Sequence, residues 1–256
     1  MTISLPMYDW PEVREATDAW AAGVVKHLEG AGGQLDRTRD YFSIWRRGDL
    51  IFSQTCGYPF THEFRGKLIY AATPHYAVPG CEGANYCSFV FAREDRPLAG
   101  FLGSRAAVNN PDSMSGMLAL KLVFAPHAVD GRFFSDVVKS GSHVKSMIAV
   151  RDGKADICAI DSVCVALARR YRPDYLEGLV EIARSPMVPG LPYVTGHGRD
   201  ASALRHALDK AFVDATLAAA REALFLDRHS ILAADAYDRI LTLERQMERS
   251  GGLRLL

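Results

Sequence analysis

The chain has 256 residues, 48% of them hydrophobic and 23% charged, with 30 Lys and Arg against 30 Asp and Glu. That length suits one large domain or two lobes of about 100–150 residues, and the composition excludes a disordered polymer. A net formal charge of zero offers no broad cationic field to nucleic acid or to an acidic membrane surface.

No apolar run approaches the ~18–20 residues of a membrane helix, since the most apolar stretch, 117–125, is interrupted by Lys121. A soluble globular protein is the class expected. A secretory signal needs a basic start followed by an apolar segment. Here no Lys or Arg precedes Arg14, and Asp9 and Glu12 fall where that segment would be. The chain as written is therefore expected in the cytoplasm, unless a leader lies upstream. The cysteines, Cys56, Cys81, Cys87, Cys158 and Cys164, form no CxxC pair and read as reduced, partly buried residues. Cys81 and Cys87 alone are near enough in sequence to raise a local disulfide.

Residues 2–8 read as a short strand reaching a turn. Asp9, ahead of Pro11 and Glu12, has the look of a capping box, and Val13, Ala16, Trp20, Val24 and Leu28 then recur at helical spacing until Gly30. Strands are expected over 50–53, 67–72 and 86–92, the first running into the polar turn Gln54-Thr55-Cys56-Gly57. The middle repeats the alternation: strand 105–108, turn Asn109-Asn110-Pro111-Asp112, helix 113–124, strand 135–139, helix 143–151 and strand 156–160. A helix ending at 170–173 and a strand at 179–183 follow. Beyond Pro186, Pro189 and Pro192 the chain reads as helical over 201–224 and 233–249. Such alternation points to an α/β fold with a largely parallel sheet. Its organisation is expected as a discontinuous first lobe, 1–87 plus 190–256, and a second lobe, 88–189, with a ligand cleft where strand-end turns collect.

Those turns carry the unusual residues. Asp112-Ser113-Met114-Ser115-Gly116 opens a helix, and a helix start has unpaired N–H groups and partial positive charge, so it suits an anion. Ser113 and Ser115 add hydroxyl donors; ordinary capping by Asp112 or Ser113 is the plainer alternative. Ser140-Gly141-Ser142-His143 is a second start of the same design, where glycine permits close backbone approach and the imidazole can donate. Asp161 follows the next apolar strand, either as a cap for its helix or as a ligand contact. Tyr8, Thr55, Tyr58 and Tyr86 lie at strand ends, where rings wall either a pocket or the core.

A cysteine enzyme using Cys56, His143 and Asp161 has the right residue types but no local signature. The histidines lack metal-ligand spacing, and neither a GxGxxG nor a Walker loop occurs, so no metal or cofactor is expected.

Taken together, these stretches resemble the phosphate, phosphite and phosphonate substrate-binding proteins of ABC importers. The resemblance rests on L-P-M-Y-D-W-P-E-V-R at 5–14, S-Q-T-C-G-Y-P at 53–59, P-G-C-E-G-A-N-Y-C-S at 79–88, and N-N-P-D-S-M-S-G at 109–116. It continues through F-F-S-D-V-V-K-S-G-S-H at 133–143 and G-K-A-D-I-C-A-I-D-S at 153–162. It implies a two-lobed periplasmic-binding-protein (Venus flytrap) fold with two crossover strands, a small oxyanion ligand, an ABC permease as partner and a periplasmic setting. It also implies that Ser113, Met114 through its backbone, and Ser115 hold the phosphonyl oxygens while His143 approaches from the adjacent helix. Asp161 matches the family's acidic strand-end position and Tyr86 an aromatic cleft residue. Tyr58 or Thr55 matches a contact from the first lobe, and Tyr8 is added from its place after the first strand. Met114 stands where the family often has a small hydroxyl residue. Binding without a covalent step is the reading this favours; a cytosolic small-molecule sensor and an enzyme on the same fold are the alternatives.

Overall fold

The computed structural model describes residues 1–28, 32–33, 35–38 and 40–255. It divides into two compact units.

The first unit comprises Met1–Ala77, Glu82–Ala84 and Pro189–Ala236. Its five-stranded sheet runs in the order Thr2–Ser4, Leu50–Gln54, Tyr193–Gly196, Leu68–Tyr76, Leu226–Ser230. The first two strands are parallel and the other ladders antiparallel. Helix Arg14–Lys26 packs against Ala201–Val213 and Ala218–Ala223. Its buried stripe, Thr17, Trp20, Ala21, Val24, follows helical spacing, and Trp20 meets Phe212 edge-on at 4.8 Å. A second apolar cluster joins Ile44, Trp45, Leu50, Phe64, Leu68 and Val194.

The capping box expected at Asp9 does not form. Trp10 precedes the first turn without a side-chain cap, and Asp9 instead accepts from Arg37, whose Nη2 lies 3.1 Å from Oδ1. An arginine fork on a carboxylate outweighs a single cap hydrogen bond. The expected stop at Gly30 lies outside the described residues; the helix ends at Lys26 and the His27 N–H returns to the Val24 carbonyl.

The second unit comprises Val78–Cys81, Asn85–Val188 and Tyr237–Leu256. Its sheet order is Val180–Arg184, Ser88–Ala92, Ile157–Asp161, Arg105–Val108, Asp136–Lys139. Ile157–Asp161, Arg105–Val108 and Asp136–Lys139 are mutually parallel, whereas Ser88–Ala92 is antiparallel to both of its neighbours. Both sheets are thus mixed, not largely parallel. Parallel pairs form where a helix carries the chain back across the sheet, whereas Ser88–Ala92 and Tyr193–Gly196, by which the chain enters the second unit and returns to the first, are antiparallel to both of their neighbours. Val90, Ala106, Ala107, Ile157, Cys158 and Ile160 are fully buried, as in a sheet covered on both faces.

The last helix departs from the expected lobes. Residues 190–256 are expected in the first, but Asp238–Arg249 buries Ile240, Leu243 and Met247 and packs on Ala119–Phe124 in the second unit. The Arg254 N–H then donates to the Gly131 carbonyl at 3.0 Å. The stretch 201–224 also breaks: Asp214 caps a new turn by accepting from the Thr216 N–H at 2.8 Å. After Ala218–Ala223 comes the strand Leu226–Ser230, between the two stretches expected as helices.

Candidate ligand-binding site

Each unit has a sheet edge where strands end and chemistry-bearing residues gather. Tyr86, Ser113, Met114, Ser115, His143 and Asp161 all fall in the second unit, whereas Tyr8, Thr55 and Tyr58 fall in the first.

In the second unit, strand Arg105–Val108 leaves its sheet through Asn109, and its parallel neighbour Asp136–Lys139 leaves through Ser140. The ladder continues past both strand ends, with the Ser140 N–H donating to the Val108 carbonyl and the Gly141 N–H to that of Asn109, each at 2.9 Å. Gly141 takes φ +88°, which glycine accommodates without strain. These bonds bring two helix starts side by side. Ser113, in extended backbone, accepts from the Gly116 N–H at 3.0 Å. Ser142, also extended, accepts from the Lys145 N–H at 3.2 Å ahead of helix His143–Arg151.

The first of these helices opens as a π turn, Met114–Leu118, before continuing as Ala119–Phe124. A π turn widens the helix and frees backbone groups at its mouth, a feature frequent at functional sites. Gly116 is needed there: a Cβ would lie 1.8 Å from Asn109 Oδ1. Asn109 is expected only as part of a turn, yet its buried Oδ1 has no hydrogen-bond partner among the described residues.

His143 Nε2 lies 2.8 Å from Ser115 Oγ, and Ser115 Oγ lies 3.4 Å from Ser113 Oγ. Residues separated by 28 positions thereby form one polar row. Ser113 and Ser115 are each 5% exposed, and Met114 is buried with its side chain in the core. The His143 residue is half-buried, but its Nδ1 is fully covered. Burial pushes the imidazole pKa down to about 4, and the Ala159 carbonyl offsets part of that effect. The ring is neutral at neutral pH.

Asp161 ends the neighbouring strand Ile157–Asp161 and is 1% exposed. Its Oδ1 accepts from the Val163 N–H at 2.8 Å, so it caps helix Ser162–Tyr171. Ser162 Oγ in turn donates to the carbonyls of Gly80, at 3.1 Å, and Cys87. Tyr86 is 3% exposed and precedes strand Ser88–Ala92, whose first residue pairs with Asp161. Cys81 and Cys87 are both free thiols, and burial raises the pKa of each above the usual thiol range.

The corresponding edge of the first unit is aromatic. Thr55 is fully buried, its N–H donating to the Pro192 carbonyl at 3.1 Å. Tyr58 stacks on His62 with centroids 3.8 Å apart, on the short helix Gly57–Thr61 that follows Cys56. Tyr8 meets Tyr76 edge-on at 5.3 Å. Gln54 Nε2 donates to Tyr76 Oη and to the Leu191 carbonyl, each at 3.0 Å, and Trp20 Nε1 donates to Tyr193 Oη at 3.1 Å. Around these groups lies a cavity of about 30 Å³, room for an ordered water. Sequence reasoning missed Tyr76 and Tyr193. Tyr193, directly after Pro192 at the start of a strand, carried the only local signal.

Among the described residues no group of His, Cys, Asp and Glu is arranged to hold a metal ion, and no helix is long and apolar enough to cross a membrane. What the second unit's edge can do is bind an oxyanion with neutral hydroxyls, backbone N–H groups and helix-start charge.

No curated protein matches the sequence. Among solved structures, PhnD1 from Prochlorococcus marinus in complex with methylphosphonate is similar at 13% identity and TM-score 0.77, covering 97% of this chain and 98% of that one. A binding-protein component of an ABC phosphonate transporter, PA3383 from Pseudomonas aeruginosa, is similar at 18% identity and TM-score 0.78, covering 98% and 87%. XAC2383 from Xanthomonas citri, solved with chloride, gives 18% identity and TM-score 0.75, covering 98% of each chain. These likenesses establish the two-lobed periplasmic-binding-protein fold. The sequence profile of the ABC transporter phosphonate periplasmic substrate-binding proteins matches residues 47–238, three-quarters of the chain, and the protein belongs to that family.

Proposed function

We propose that this protein is the solute receptor of an ABC importer and binds a small phosphonate-like oxyanion through Ser113, the Met114 backbone, Ser115 and His143. The observation that carries the reading is the hydrogen-bonded row Ser113–Ser115–His143, which unites two adjacent helix starts. Neutral donors in such a setting hold an anion without a compensating lysine, and exclusion of water strengthens each bond. Asp161 and Tyr86 border the same sheet edge and are proposed as ligand contacts in addition to their structural roles. Tyr8, Thr55 and Tyr58 of the first unit are proposed to complete the site, with the ligand held in a cleft between the lobes and closure presenting the loaded receptor to a permease. Binding alone, without turnover, is the proposed activity, and the periplasm the proposed setting.

The test is thermal stability against phosphate, phosphite, methylphosphonate, 2-aminoethylphosphonate, sulfate, amino acids and carboxylates. A ligand at ~100 times its Kd adds about 2.7 kcal/mol, which for a chain of this length raises Tm by about 5–10 °C. A shift with a phosphorus oxyanion, lost in Ser113→Ala/Ser115→Ala, supports the receptor. No shift with any phosphorus compound removes that ligand class, and consumption of a bound compound, lost in Cys56→Ala, replaces the receptor with an enzyme.

A further inference from the structure

We propose that Asn109 is a further ligand-binding residue of this site, its side-chain amide nitrogen donating to an oxygen of the bound oxyanion. The proposal rests on the receptor reading above and adds a side chain to the row Ser113–Ser115–His143.

The backbone sets Asn109 beside both helix starts. It is the first residue beyond strand Arg105–Val108, and its carbonyl accepts from the Gly141 N–H at 2.9 Å. Its side chain lies over Gly116, inside the π turn Met114–Leu118. A Cβ on that glycine would stand 1.8 Å from Asn109 Oδ1, 2.8 Å from its Cγ and 3.4 Å from Ser113 Oγ. The amide and the Ser113 hydroxyl therefore meet over one glycine, at the start of the same helix.

An asparagine in a turn ordinarily uses its side-chain oxygen to accept a nearby backbone N–H. Asn109 does not. Its Oδ1 is covered and has no hydrogen-bond partner among the described residues. The Gly116 N–H goes to Ser113 Oγ instead, and the Ser113 N–H to the Asn110 carbonyl. The turn closes without this amide, so turn formation does not account for it.

A carboxamide has an accepting end and a donating end, and the surroundings decide which way each faces. In glycine a hydrogen takes the Cβ direction, so a Gly116 Cα–H points at the covered end of the amide. A C–H carries slight positive charge; it sits well against an oxygen and poorly against an N–H. The oxygen is therefore the inward end and Nδ2 the outward one. Asn109 as a whole is half-buried, and its Nδ2 makes no hydrogen bond to any described residue. With its acceptor sealed, the side chain has only N–H groups to offer a ligand. Bare phosphoryl oxygens suit it; a ligand N–H or P–OH group does not. Like the serine hydroxyls it is neutral, so it adds a donor for an anion without adding a charge.

Calorimetric titration of the full chain with methylphosphonate, phosphate and phosphite tests the proposal, each variant being compared on whichever of them binds the unmodified protein. Asn109→Ala is expected to weaken binding about ten- to a hundredfold. Asn109→Asp keeps the shape but faces the anion with a carboxylate oxygen, and it is expected to bind more weakly than Asn109→Ala. A side chain that served only to hold the turn would give the reverse order, since aspartate retains the shape and alanine does not. In nitrogen-15 NMR of the unmodified protein, the side-chain amide pair assigned by its loss in Asn109→Asp is expected to shift when that anion is added. Unchanged affinity in Asn109→Ala overturns the proposal, as does Asn109→Asp binding as well as Asn109→Ala or better, or an amide pair that stays still. If none of these anions binds the unmodified protein, the receptor reading falls and this proposal with it. Binding abolished by Ser113→Ala/Ser115→Ala but untouched in both Asn109 variants removes this proposal alone.

Discussion

At the strand ends of the second unit, successive helices begin on Ser113, Ser142 and Asp161, each accepting a backbone N–H of its own first turn. At those of the first unit the side chains are rings, and several of their polar tips are tied to neighbouring side chains, as in Trp20–Tyr193 and Gln54–Tyr76. One edge presents backbone and hydroxyl dipoles suited to charge. The other presents flat apolar faces with a few fixed polar points. The contrast teaches that one chain can end two mixed sheets in opposite chemistries, polar helix starts on one and tied aromatic rings on the other, each unit folding around its own sheet.

Substitutions confined to one unit can break that contrast. The largest effect is expected from Trp45→Ala in the first unit, where the indole packs against Phe64 at 5.5 Å and donates to Ser53 Oγ at 3.1 Å. A loss of about 3–5 kcal/mol in stability is expected by denaturant unfolding. Next comes Ser113→Ala/Ser115→Ala. Hydrogen bonds to a charged ligand contribute about 1.5–3 kcal/mol each, so affinity measured by calorimetry is expected to fall about 100- to 10,000-fold, with ligand-free Tm changing far less.

Asp156→Ala separates the second unit's stability from its site. The carboxylate accepts from the Arg105 N–H at 2.8 Å, from Arg105 Nε at 3.1 Å, and from Arg93 Nη2 at 3.0 Å. A cost of about 1–3 kcal/mol in unfolding free energy is expected. The Arg105 guanidinium holds this carboxyl down at about 2. Its stabilisation is therefore present above the ordinary carboxylate pKa and lost as pH falls from about 4 toward 2.

His143 acts over a different window. Its folded pKa is about 4, below the ordinary value of about 6.5. The unfolded chain thus binds the extra proton first, and stability falls as pH drops from about 6.5 toward 4. A pH series of unfolding free energies should show this slope, and His143→Gln should reduce it. Tyr58→Ala, the smallest of the set, removes the ring stacked on His62; about tenfold weaker binding is expected, with little change in Tm.

Much of the second unit was legible in the sequence because its elements are local. The strand at 105–108 and the helix at 143–151 fall where apolar runs, glycine and serine place them. The pairing of Ser115 with His143 was not legible, because it depends on two loops continuing a parallel ladder beyond the strands. Leu226–Ser230 was missed for a related reason. Its sequence, Leu-Asp-Arg-His-Ser, has weak strand propensity, and the ladder with Leu68–Tyr76 supplies what propensity does not. Asp9 shows the reverse failure: a correct local motif lost to an arginine from a distant stretch. The stripe Ile240, Leu243, Met247 announced an amphipathic helix, but a stripe names no partner.

The placement of that last helix bears on how the protein is made. The first unit needs residues up to Ala236, and the second has its final buried side chains supplied by the helix ending at Arg249 and by Leu253 beyond it. Synthesis runs from the N-terminus, so neither unit can close its core before residues up to Ala236 have left the ribosome. Until then the nascent chain holds two unfinished sheets with open edges. A chain in that condition is one a chaperone or a translocation machinery can still grasp.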